Sequence, residues 1–157
     1  MKCPTLYLDT STIDGYFDDE WKEATQELWR QMEAGQWRFV TSLVAAEELE
    51  NAPERVQALF RAAFEAEAIL DVTEEMDELA SAYVAHGVVP PTYEDDARHV
   101  AVCTLSRINF LVSWNFKHLV NVQREAGFNG VNLLKGYPPI RIVNPLEIIY
   151  ANQDQNL

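Results

Sequence analysis

Four residues of this chain have the chemistry and spacing to work together: Asp9, Glu48, Asp96 and Asn115. Asp9 directly follows the apolar, β-prone run Thr5-Leu6-Tyr7-Leu8. Glu48 lies seven residues beyond Thr41, in the second turn of the helix that leaves the strand-like stretch ending there. Asp96 stands in the first turn of the helix before the run Asn109-Phe110-Leu111-Val112-Ser113, and Asn115 follows that run. Carboxylates aimed at one small volume repel one another, so one takes up a proton unless a cation stands between them. A hard divalent ion, Mg2+ or Mn2+, accepts oxygen ligands of this kind. Such an ion acidifies a water and stabilises charge on a phosphoryl oxygen, so the chemistry implied is metal-assisted phosphodiester hydrolysis.

Each residue also has a plainer reading. Asp9 opens Asp9-Thr10-Ser11-Thr12, and strand-to-helix loops are full of caps. Glu48 sits in Glu47-Glu48-x-Glu50, where any one glutamate could be a solvated helix residue. Asp96 could simply favour the positive end of its helix, and Thr92-x-x-Asp95 reads as a capping box. The case rests on the combination. His99, three residues after Asp96 on the same helical face, is a candidate for phosphate contact, proton shuttling or hydrogen-bonded support. Lys117 and His118 follow the fourth strand and are candidates for contact with a substrate backbone. No zinc-type His/Cys spacing and no Gly-rich phosphate loop occurs.

Helical and strand-like segments alternate around these residues. Strands are expected at 5–8, 37–41, 68–72, 109–113 and 140–143, with a helix interrupted near Gly127 and Gly130 over 117–135. The aromatic stripe of Trp21 and Trp29 on the helix after Asp19 is expected to be core or interface. Strand–helix alternation implies an α/β fold of three layers, α/β/α, with a mainly parallel five-stranded sheet in the centre. Ligands of such sheets bind beyond the carboxyl ends of the strands, where all four residues arrive. One domain over 1–150 is expected, followed by a polar, frayed tail at 151–157.

Composition narrows the function further. The 157 residues carry a net charge of −13, which argues against a surface that grips nucleic acid all over. The charge is uneven: residues 1–96 hold 22 acidic and 6 basic side chains, residues 97–157 only 3 acidic and 6 basic. No apolar run approaches the roughly 20 residues of a membrane span. The start, MKCPTLYLDTS, does not read as a secretory signal. Cys3 and Cys103 are too few and too far apart for a disulfide framework, so both are expected as reduced core thiols in a cytoplasmic protein.

The chain resembles the PIN-domain family, the metal-dependent ribonuclease fold that includes the VapC-type toxins. The resemblance lies in Leu6-Tyr7-Leu8-Asp9-Thr10-Ser11, Ser42-Leu43-Val44-Ala45-Ala46-Glu47-Glu48-Leu49, Asp96-Ala97-Arg98-His99-Val100-Ala101 and Leu111-Val112-Ser113-Trp114-Asn115-Phe116-Lys117-His118. These four stretches come in family order and together span roughly residues 5–146. The resemblance implies Mg2+ or Mn2+ held by Asp9, Glu48 and Asp96, with Ser11 supporting the first aspartate. It also implies an RNA substrate, a protein antitoxin as partner and possible homodimers. The chain departs from the family at Asn115, where many members carry a fourth carboxylate. An amide can ligate a cation but brings no charge, so one tightly held ion is expected and a second only weakly. Two other readings compete. One is a PIN-like fold kept for binding alone, its catalytic set weakened at Asn115. The other is a small-molecule phosphohydrolase of haloacid-dehalogenase type, which would want an aspartate where Ser11 stands.

Overall fold

The computed structural model describes the backbone of residues 3–154. Five strands form its centre: β1 (Thr5–Leu8), β2 (Arg38–Ser42), β3 (Ile69–Leu70), β4 (Phe110–Val112) and β5 (Arg141–Val143). Eight α-helices surround them. They are α1 (Thr10–Asp14), α2 (Lys22–Glu33), α3 (Leu43–Glu48), α4 (Glu54–Ala63), α5 (Glu74–Ala85), α6 (Glu94–Leu105), α7 (Val122–Lys135) and α8 (Pro145–Asp154). All strand pairs are parallel and the order is β3-β2-β1-β4-β5. The expected three-layer α/β/α class is therefore the observed one.

Alternation along the strands assigns the two faces. Tyr7, Val40, Leu111 and Ile142 point into a core closed by α5, α6 and α7. Leu6, Leu8, Phe39, Val112 and Val143 point to the other face, against α1, α2, α3, α4 and α8. Both faces are covered, which is why the strands read as continuous apolar runs. The strand order reverses between β1 and β4, so the loops leaving these two strands diverge and leave a crevice at the carboxyl edge.

Several local expectations change. Thr92 caps nothing: Pro91–Tyr93 forms a 3-10 turn, and α6 begins from Tyr93 without a side-chain cap. The consecutive prolines Pro90 and Pro91 set that turn, so Asp95 pairs with Arg98 at 2.9 Å instead of completing a capping box. α7 starts at Val122, later than expected, and runs unbroken through Gly127 and Gly130. A Cβ on Gly127 would stand 3.0 Å from Val88 Cγ1, so this glycine permits close packing where a break was expected. β3 is only two residues long because Ala66–Ala68 turns as 3-10. Cys103 is buried as expected, whereas Cys3 is exposed, ahead of the first strand. α8 continues to Asp154, past the expected domain end at 150, and residues 155–157 of the expected tail lie outside the described residues. Of the aromatic stripe, Trp29 is core and Trp21 stacks on Trp114 with ring centres 4.3 Å apart. Among the described residues no helix is long and apolar enough to cross a membrane.

Candidate active site

Asp9 is the N-cap of α1, and its carboxylate is almost fully enclosed, at 3% exposure. Ser11 Oγ donates to both oxygens, at 2.8 and 3.0 Å. The backbone N–H and the hydroxyl of Thr12 each donate to Oδ1 at 3.1 Å, and Ser113 Oγ donates to Oδ2 at 2.7 Å. The capping reading and the site reading of Asp9 therefore both apply. Burial still pushes its pKa above the usual carboxylate value, against the opposing pull of the His99 charge and these hydroxyls. Ser11 is tied down in turn, because the backbone N–H of Trp114 donates to its oxygen at 2.9 Å. Loops β1–α1 and β4–α7 are thus stitched together across the crevice.

Glu48 lies at the end of α3, whose N-cap Ser42 accepts from the Val44 N–H at 3.2 Å. Its Oε1 accepts from Thr10 Oγ1 at 2.7 Å and meets His99 Nε2 at 2.7 Å. Burial raises the Glu48 pKa, but the His99 hydrogen bond and charge outweigh it and hold the group below its usual value. His99 shows the converse. Burial alone would lower it, and the hydrogen bond and charge of Glu48, with the charges of Asp9 and Asp96, raise it. The other ring nitrogen, Nδ1, is 2.7 Å from the Tyr7 hydroxyl, which is 2.7 Å from Ser42 Oγ. Ser42–Tyr7–His99–Glu48 is thus a buried polar chain from the core to the carboxyl edge.

That burial corrects one expectation. His99 is 1% exposed, with both nitrogens engaged inside the protein, so it supports Glu48 and does not face a substrate backbone. His118 is corrected likewise. It is 4% exposed, packs its ring against Tyr93 and sets Nδ1 3.3 Å from Asp96 Oδ2. Burial, with Arg124 and Lys117 nearby, lowers its pKa, so it meets Asp96 as a neutral imidazole. Lys117 alone of the three lies on the surface.

Asp96 is the least settled of the acids. Asn115 donates from Nδ2 at 3.3 Å, and the remaining contact is His118. Burial and the charge on Asp9 raise its pKa to about 6, with Glu48 adding to the repulsion. Asn115 differs from expectation, since its oxygen accepts the His118 backbone N–H at 3.0 Å and its amide nitrogen faces Asp96. In this arrangement its amide positions Asp96, and its oxygen keeps a second lone pair. Sequence reasoning missed Asp14, whose pKa is raised by burial and by the charges of Asp9 and Glu48. It also missed Thr10, Thr12 and Ser113 as donors. Ser113 had a usable signal, a hydroxyl directly after a central strand on the binding edge.

The structure therefore brings Asp9, Glu48, Asp96 and Asn115 to one edge with Ser11. Oxygen chemistry and mutual repulsion suit a hard divalent cation. Yet Glu48 is engaged with Thr10 and His99, and no three Asp, Glu, His or Cys among the described residues close on one point as a metal cage does.

Among solved structures, the chain is similar to FitAcB from Neisseria gonorrhoeae, with a TM-score of 0.57 and 13% identity over 90% of this chain and 98% of that one. It is also similar to VapBC2 from Rickettsia felis bound to a DNA fragment from their promoter, with a TM-score of 0.55 and 16% identity. That match covers 89% of this chain and 98% of the other. No protein-family model and no curated protein sequence matches the chain. What these likenesses show is the fold, over about nine-tenths of the chain.

Proposed function

We propose that this protein is a divalent-metal-dependent endoribonuclease and the toxin member of a toxin–antitoxin pair. One observation carries the reading: Asp9, Glu48 and Asp96 arrive at one sheet edge, where burial, with the charges of Asp9 and Glu48 adding to it, raises the Asp96 pKa to about 6. The stretches resembling PIN domains of the VapC type and the fold likeness to VapBC2 support it. Asp9, Glu48 and Asp96 would hold Mg2+ or Mn2+. Bound there, the ion would supply charge to a phosphoryl oxygen and lower the pKa of a water.

The chain's own residues prepare that site. The hydroxyls of Ser11, Thr12 and Ser113 fix Asp9 in one orientation, so no rotamer freedom is lost when it ligates. Thr10 and His99 hold Glu48 Oε1 at the mouth of the crevice. Asn115 and His118 orient Asp96. Lys117, exposed two residues beyond Asn115, would meet an RNA phosphate. The 22 acidic side chains of residues 1–96 favour a basic segment as the antitoxin's contact.

The test is cleavage of single-stranded and structured RNA with Mg2+ or Mn2+, using Asp9→Asn as the control. Metal-dependent cleavage by the unaltered chain alone supports the reading, and equal background in both proteins overturns it. A second reading has its own observation: Asn115 supplies no charge and Glu48 is engaged with His99, which favours a binding module on the same fold. Thermal melting with and without Mn2+ separates the two, because an ion that binds only the folded chain raises the melting temperature.

A further inference from the structure

The opposite edge of the sheet carries different chemistry. At the amino ends of the strands a cavity of about 640 Å3 is lined by Thr5, Arg38, Glu67, Arg107 and Asn109 over an apolar floor that includes Phe110. Volumes of roughly 300–1,000 Å3 are those of small-molecule sites. The chain has eight arginines. Six have their guanidinium groups engaged: Arg30 with Glu27, Arg61 with Glu54, Arg98 with Asp77 and Asp95, Arg141 with Glu125, Arg124 with the Val88 carbonyl, and Arg55 over the Phe17 ring. Arg38 and Arg107 are the remaining two. Both line this cavity, and neither has an acidic oxygen within 4.0 Å among the described residues. Both arginines are exposed and line one cavity, in a chain whose net charge is −13.

Backbone geometry supplies an independent argument. Four helices end in the same way, with the N–H two residues past the cap bonding back to the carbonyl three before it, as in Ile108 to Cys103 at 3.1 Å. Each such ending places one residue in the left-handed region. Three of these residues are Gly35, Gly87 and Gly136, and the fourth is Arg107, with φ 58°. Glycine takes that conformation without strain and an L side chain does not. A cation past a helix C-terminus favours the dipole by about 0.3–1 kcal/mol, less than the roughly 1–2 kcal/mol that the left-handed conformation costs an L residue, so the dipole alone does not account for arginine there.

The geometry points to a nucleotide site at this edge, distinct from the carboxylate site. Arg38 and Arg107 would take the phosphate, Glu67 the ribose hydroxyls, and Leu70, Ile108 and Phe110 the base. A mononucleotide fits better than a strand, because Glu65 lines the adjoining cavity that shares Arg38 and would repel further phosphates. The inference does not depend on the nuclease reading. Calorimetric titration in chelator, with the whole chain and the four ribonucleoside 5′-monophosphates, tests it against inorganic phosphate and the free nucleosides. At least one monophosphate should bind ten-fold or more tighter than either fragment, and equally in Asp9→Asn. Arg38→Ala and Arg107→Gly should each weaken it at least ten-fold, while Arg107→Gly melts at a higher temperature because the strain is gone. Unchanged affinity in Arg107→Gly, binding lost in Asp9→Asn, inorganic phosphate binding as tightly as nucleotide, or no saturable binding would each overturn the proposal.

Discussion

Asp9 and Asp96 occupy the same crevice under opposite conditions. Asp9 is surrounded by short hydroxyl and amide donors that come with the fold. Asp96 has one long hydrogen bond, one neutral histidine and the repulsion of Asp9. The first carboxylate is organised by the protein itself, whereas the second has few donors to offset its burial and the repulsion of Asp9. The difference separates scaffold from function: donors that fix Asp9 contribute to stability, and the charge on Asp96 opposes it. A folded site with this asymmetry is one that a cation completes.

The largest expected effect breaks the Asp9 side. Removing both serine hydroxyls, Ser11→Ala with Ser113→Ala, leaves a buried carboxylate short of donors and should cost about 3–5 kcal/mol at pH 7. Urea unfolding should show the loss shrinking towards pH 4, as Asp9 becomes protonated. The Asp96 side should respond with the opposite sign. A carboxyl whose pKa rises from 3.8 to about 6 on folding gives stability that is complete below pH 3.8 and lost as pH climbs through 6. In chelator, Asp96→Asn should therefore be more stable than the unaltered chain at pH 7, by up to about 3 kcal/mol. That advantage should vanish below pH 4. A variant that is less stable at every pH would remove the asymmetry.

Smaller effects sharpen the comparison. Gly15 sits behind the Asp9 loop, and a Cβ there would lie 2.7 Å from Trp114 Cδ1 on a rigid indole. Gly15→Ala should cost about 1–3 kcal/mol by thermal melting and loosen the Trp114–Ser11 bond that steadies Asp9. The smallest effect is at Asp95, next to Asp96 in sequence but paired with Arg98 at the surface. Arg98→Ala should change stability by less than about 1 kcal/mol, since water and salt screen that pair.

Much of this was legible in the chain, for identifiable reasons. Asp9, Glu48 and Asp96 are placed by strand and helix boundaries, which apolar periodicity reveals. The expected class and five strands follow from the same alternation. The links that decide roles are not local. Tyr7 and His99 lie 92 positions apart and meet only because β1 and α6 pack on one sheet face, so nothing near His99 told that it is buried. The Thr92–Asp95 motif had the spacing of a capping box, but Pro90 and Pro91 fixed a different backbone before the helix began. Gly127 had the composition of a break and the surroundings of a close contact. Asp14 feels the charges of Asp9 and Glu48 because α1 is short, a geometry its spacing from Asp9 could have suggested.

Trp114 gives the crevice an optical consequence. Its backbone N–H holds Ser11, its indole N–H donates to Thr25 at 2.9 Å, and its ring lies nearly parallel to Trp21, at 16°. Two stacked indoles couple their electronic transitions, and that coupling depends steeply on ring separation and angle. The near-ultraviolet circular dichroism of the unlabelled chain should therefore carry a signal from this pair. Any event that shifts Asp9 and Ser11 is transmitted through one hydrogen bond to a chromophore the protein already contains.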